Sequence, residues 1–111
     1  MLNAKAIAKY IKGKNPETVS LVCMGYAGKY ETEEDTLCAE YIKSILEETP
    51  FDMKAGIDLL KRTSGAKFFD PCQKDIFPEK DFEMCTRTDC FDFIIRLNKS
   101  SELPFMEKIS I

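Results

Sequence analysis

The most constraining stretch of the chain is Val19-Ser20-Leu21-Val22-Cys23-Met24, a short run that is apolar at every position but one. A half-exposed strand alternates apolar and polar residues, and this run has no alternation. It therefore predicts a strand buried on both faces, the situation of a parallel sheet with helices packed above and below. The flanking residues supply such helices. Asn3 is placed to cap a helix whose apolar Ala4, Ile7, Ala8 and Ile11 recur at helical spacing, with Gly13 closing it and Asn15-Pro16 turning the chain. After the run come a glycine-spaced loop, Gly25 to Tyr30, and then Thr32 as an N-cap with Asp35 three residues on. The helix that follows should reach about Glu48 and bury Leu37, Cys38, Tyr41, Ile42, Ile45 and Leu46.

Further along, Pro50 at a first helical position predicts a third helix through Met53, Ile57 and Leu60, stopped by Ser64-Gly65. Residues 66–77 read as loop or short turns, and Pro78 to Thr86 as a short helix with Phe82 and Cys85 inward. Phe91, Phe93, Ile95 and Leu97 alternate with Asp92, Ile94 and Arg96, which predicts a strand with one face more buried than the other. The tail from Lys99 is either its hairpin partner or a frayed end. The order gives an α/β fold, a small and mostly parallel sheet layered with helices, with all 111 residues forming one domain or half-domain. Two or three strands are few for three helices. That imbalance, with a capped helix almost at Met1, predicts the C-terminal part of a larger fold.

Composition narrows the chemistry. With no histidine, imidazole-based triads, His-based zinc sites and phosphohistidine phosphatases are excluded, and acid, base or metal work falls to carboxylates, lysines, cysteines or tyrosines. Sixteen Lys and Arg against nineteen Asp and Glu give a net charge of −3, mixed along the chain, which argues against a nucleic-acid partner. No apolar run approaches the roughly 18 residues of a membrane span and none resembles a signal peptide. Five cysteines, an odd number without a C-x-x-C pair, suit a reducing, cytoplasmic setting.

The loop after the apolar run lies where α/β sheets bind ligands, beyond the carboxyl end of a strand. Gly25 and Gly28 let backbone approach an anion, and a helix N-terminus offers free N–H groups, although neither the Walker pattern nor the dinucleotide fingerprint is present. Glu31, Glu33, Glu34 and Asp35 would repel a bare phosphate, but a Mg²⁺ held by one or two of them reconciles acids with anion. The same acids also suit the positive end of a helix dipole with no ligand at all.

The run Leu21 to Gly25, then Gly28, then Glu34-Asp35-Thr36-Leu37-Cys38-Ala39 resembles the G-x-x-G…E-D-x-x-C-A signature of the 2-phosphosulfolactate phosphatase (ComB-type) family. Leu2-Asn3-Ala4 with Ala8, and the stretch Phe77-Pro78-Glu79, Asp81, Phe82, Cys85 and Asp89-Cys90-Phe91-Asp92, resemble flanking family segments in the right order. Departures are Glu40 where the family usually has Gly, and Ile94-Ile95 where it has Val-Pro. The resemblance implies a Mg²⁺-dependent hydrolase converting 2-phosphosulfolactate to sulfolactate and phosphate in coenzyme M synthesis, in proteins much longer at the N-terminus. It implies Glu34 and Asp35 as catalytic and metal-binding acids. Gly25 and Gly28 would shape the anion site, Lys29 would compensate charge, and Arg62 and Lys67 would meet sulfonate or phosphate. The expected partner is a small anionic phosphorylated substrate, with no nucleic acid or membrane, and either an N-terminal half or a second copy. The competing expectation is a catalytically silent scaffold that needs a partner half.

Overall fold

Four α-helices and one β-hairpin make up the chain in the computed structural model, which describes residues 1–111. Helix α1 (Ala4–Lys14) and helix α2 (Glu33–Glu47) pack together, helix α3 (Met53–Arg62) follows, and two 3₁₀ turns (Ala66–Phe69, Pro71–Gln73) lead to helix α4 (Glu79–Thr86). Strands β1 (Phe93–Asn98) and β2 (Phe105–Ser110) close the chain. No helix is long and apolar enough to cross a membrane.

The helices lie where periodicity placed them, but their ends are set by other residues. Asn3 does not cap α1 through its side chain; its Nδ2 donates to the Phe93 carbonyl at 3.1 Å, and Asp89 accepts from the Lys5 N–H at 2.8 Å. A distant carboxylate thus does the work of a local cap. Gly13 lies within α1, which ends on Asn15 in the left-handed region (φ 47°), and α2 ends likewise on Glu48 (φ 57°). Helix α3 starts after Asp52, whose Oδ1 accepts from the Ala55 N–H at 3.0 Å, so Pro50 precedes the helix instead of opening it.

Two small apolar clusters hold the elements. Ala4 and Ala8 of α1 meet Ile42 of α2, with Ile7, Leu21, Tyr41 and Ile45 around them; alanines at the contact let the helices approach closely. Leu37, Leu60 and Phe82 join α2, α3 and α4, with Phe51, Phe68 and Phe69 at the edges. Gly65 lies beneath this second cluster, where a Cβ would fall 2.4 Å from Phe82 Cε2 and 2.7 Å from the Leu60 carbonyl oxygen. Cys85, expected inward, is exposed.

The sheet departs from the expectation of a mostly parallel one. It consists of β1 and β2 alone, antiparallel, in register from Phe93 opposite Ser110 to Asn98 opposite Phe105. The tail is therefore a hairpin partner, reinforced by an ion pair of Arg96 with Glu107 that holds the Glu107 carboxyl below its usual range. Ile94 is the buried residue of β1, while Ile95 and Leu97, on the opposite face, are exposed. Val19–Met24 is not a strand: none of its backbone N–H or C=O groups enters a backbone hydrogen bond, and only Leu21 reaches the core. A strand needs a neighbour before it can be buried on two faces. Here the only other strands satisfy each other.

Candidate functional site

The loop after the apolar run is a tight turn whose glycines have separate jobs. The Tyr26 N–H donates to the Tyr30 carbonyl at 2.8 Å, and the Lys29 N–H to the Tyr26 carbonyl at 3.0 Å. Ala27 and Gly28 both have positive φ (54° and 66°), the mark of a type I′ hairpin turn. Gly25 also has positive φ (65°), and a Cβ there would lie 2.1 Å from the Tyr30 carbonyl oxygen, so no larger residue fits. At Gly28 an added Cβ would meet nothing.

Asp35 fastens this loop to α2. Its Oδ2 accepts from the Gly25 N–H at 2.7 Å, in a half-buried position. The amide that an anion site would use is therefore already engaged. Glu34, one residue earlier and about 100° round the helix, faces elsewhere. Its Oε2 accepts from the Ser64 hydroxyl at 3.1 Å, at the mouth of a cavity of about 250 Å³. Leu60, Phe68 and Phe82 give this cavity apolar walls, and Lys67 lines it as well. The Lys67 ammonium lies 4.7 Å from the centre of the Phe77 ring, a cation–π contact that restricts where the charge can go.

The other predicted residues stand apart. Lys29 is exposed on the turn and pairs with no carboxylate. Arg62 is exposed at the end of α3, with its Nε donating to the Asp58 carbonyl at 3.3 Å. The structure thus joins Gly25 to Asp35, and gathers Glu34, Ser64 and Lys67 round one cavity. Ser64 was legible only as part of a helix stop. As for Mg²⁺, no three Asp, Glu or Cys side chains converge into a cluster able to hold an ion, and one of the two expected acids is occupied by an amide. The donor set within this chain does not fit a complete Mg²⁺ site.

A second carboxylate pairing lies between α1 and α2. The Tyr41 hydroxyl donates to Asp89 Oδ2 at 2.5 Å, and Asp89 has positive φ (54°). The hydrogen bond to Asp89, then burial and the adjacent negative charge, push the Tyr41 hydroxyl up to about 12. Since its other oxygen caps α1, Asp89 ties both helices to the segment that enters β1.

The order of these features along the chain, from the Leu2-Asn3-Ala4 entry to α1, through the Gly25–Asp35 junction, to the Asp89 segment, is matched by a family model. The model for 2-phosphosulpholactate phosphatase covers residues 1–100. The chain belongs to this family. A probable 2-phosphosulfolactate phosphatase from Bacillus subtilis (strain 168) is 31% identical over 112 residues, covering 98% of this chain and 47% of the relative. The chain therefore spans about half the length of that family member. No solved structure matches it.

Proposed function

We propose that the chain forms part of a cytoplasmic phosphatase that hydrolyses a small phosphomonoester, with 2-phosphosulfolactate as substrate and sulfolactate and phosphate as products. The family match over residues 1–100 carries this reading. The Glu34 cavity is where this chain would contribute. At about 250 Å³ it is below the usual range for drug-sized ligands and suits a small acid. Lys67 would draw the anionic phosphate or sulfonate, and Ser64 would fix the Glu34 carboxylate so that its free oxygen points at the ligand. Asp35 would act as a positioning residue through Gly25. Mg²⁺ is the expected cofactor of the whole enzyme, and when bound it would neutralise phosphoryl charge. Glu34 would be this chain's one carboxylate toward it.

The test is phosphate release from 2-phosphosulfolactate across a Mg²⁺ titration, using the 111-residue chain alone and combined with the part of the Bacillus subtilis relative outside the matched region. Activity in the combination that falls at least tenfold in Glu34→Gln and in Lys67→Met supports the reading. Absence of hydrolysis in both preparations would favour a silent scaffold.

A further inference from the structure

The apolar run is the segment whose backbone the fold leaves unpaired. From Thr18 to Gly25 the backbone runs without turn or bend, and residues 19–24 leave every N–H and C=O without a backbone partner. Leu21 packs onto the α1–α2 cluster, and Asp35, Cys38 and Ala39 of α2 line the groove beside the run, so one helix covers one side. Val22 and Met24, which line the same groove, are 77% and 71% exposed, and Cys23 between them is exposed as well. An apolar, straight, unpaired segment is a template for strand addition, which natural proteins otherwise blunt with charges, prolines or bulges. None of those devices occurs between Val19 and Met24.

The whole molecule has the same character. Its solvent-accessible surface is 8415 Å², against about 6,200 Å² for a folded monomer of 12.7 kDa. The radius of gyration is 15.9 Å, where about 13 Å is normal for this length. An excess of roughly 2,200 Å² is what one partner contributes to a large, obligate interface. Ile95, Leu97 and Met106, on one face of the hairpin, add a second exposed apolar area.

We propose that Val19–Met24 is an interior β-strand in waiting, which pairs along both edges with strands of a polypeptide equivalent to the half of the family fold this chain does not span. The occupant is identified by what the run lacks. A second copy adding its own run antiparallel would satisfy one edge and leave the other bare in both molecules. A polypeptide of comparable length to this chain, which is what the 47% coverage of the relative leaves over, can flank both edges and cover Val22 and Met24. This inference rests on family membership and not on the phosphatase reading.

Hydrogen exchange tests it directly, with the 111-residue chain alone and co-expressed with the remaining part of the Bacillus subtilis relative. The matched half of that relative with the same partner is the positive control. The expected result is a monomer alone, with the amides of 20–24 exchanging at the rate of unstructured chain. In the complex those amides should slow by on the order of a hundredfold or more. Val22→Pro should leave the thermal midpoint of the chain alone unchanged, since residue 22 donates no bond there, and should abolish association. Slow exchange in the monomer, or a homodimer that protects the run, would overturn the proposal. So would failure to associate under conditions where the control pairs. Because no readout is catalytic, an inactive complex with a protected run would sink the phosphatase reading and leave this one standing.

Discussion

Replacing Asp35 separates a latch from a ligand. Its Oδ2 accepts from the Gly25 N–H at 2.7 Å, a charge-assisted bond in a half-buried site. Bonds of that kind contribute about 1.5–3 kcal/mol. As the third residue of α2, the carboxylate also contributes about 0.3–1 kcal/mol against the helix dipole. Asp35→Ala loses both and strands the Gly25 amide, so it should cost about 2–3 kcal/mol. Asp35→Asn keeps an acceptor oxygen and loses the charge, and should cost about 1 kcal/mol. Urea unfolding followed by far-ultraviolet circular dichroism measures both, provided the slope is common to all variants. Glu34→Gln is the control on the same turn: the residue is exposed and an amide oxygen can still accept from Ser64, so a change under about 0.5 kcal/mol is expected. Two results would refute the reasoning. One is equal cost for Ala and Asn. The other is a Mg²⁺-dependent stabilisation of the native chain that Asp35→Asn alone removes, which would make the carboxylate a metal ligand after all.

Two further perturbations read other contacts. The Tyr41 hydroxyl has its folded value raised to about 12 from an ordinary 10.0, so the stability it supplies is complete below about pH 10 and is lost as pH rises through about 12. Absorbance at 295 nm should show a tyrosine titrating late, and Asp89→Asn should bring it back toward the ordinary 10.0. At Gly65, alanine would place a Cβ 2.4 Å from Phe82 Cε2 and 2.7 Å from backbone, so Gly65→Ala should cost about 1–3 kcal/mol in urea unfolding. Gly28→Ala meets open space and should cost only the left-handed penalty of about 1–2 kcal/mol; a larger cost there than at Gly65 would contradict the packing described.

What the sequence revealed followed from local physics. Helical spacing placed α1, α2 and α3 because each buries a stripe repeated every three or four residues, such as Leu37, Tyr41 and Ile45. Caps were less legible, since a cap can come from anywhere that brings an acceptor. Asn3 looked like the cap of α1 and is not, whereas Asp89, eighty-four residues from Lys5, is. Strand burial was the least legible feature. The apolar character of Val19–Met24 states what the run requires, not what this chain provides, and β1 gave its pairing to a tail that sequence left open between hairpin and frayed end.

The adjacent acids show the same limit at the candidate site. Glu34-Asp35 reads as a paired carboxylate motif, but consecutive residues on a helix point about 100° apart and do not face each other. In a helix that is regular from Glu33, the two carboxylates engage different partners and do not converge on one ion. The motif therefore divides its labour. Asp35 reaches back to Gly25 and fixes the exit of the apolar run, while Glu34 reaches forward to Ser64 and the cavity floored by Leu60 and Phe82. One turn of helix thereby connects the unpaired run to the candidate site. The Gly25–Asp35 and Glu34–Ser64 bonds are both formed in the chain alone, so this junction is set before the run finds a partner. Outside strands that pair with Val19–Met24 would then dock onto an end already fixed at Gly25, and protection of the run in hydrogen exchange should appear on assembly without displacing either bond.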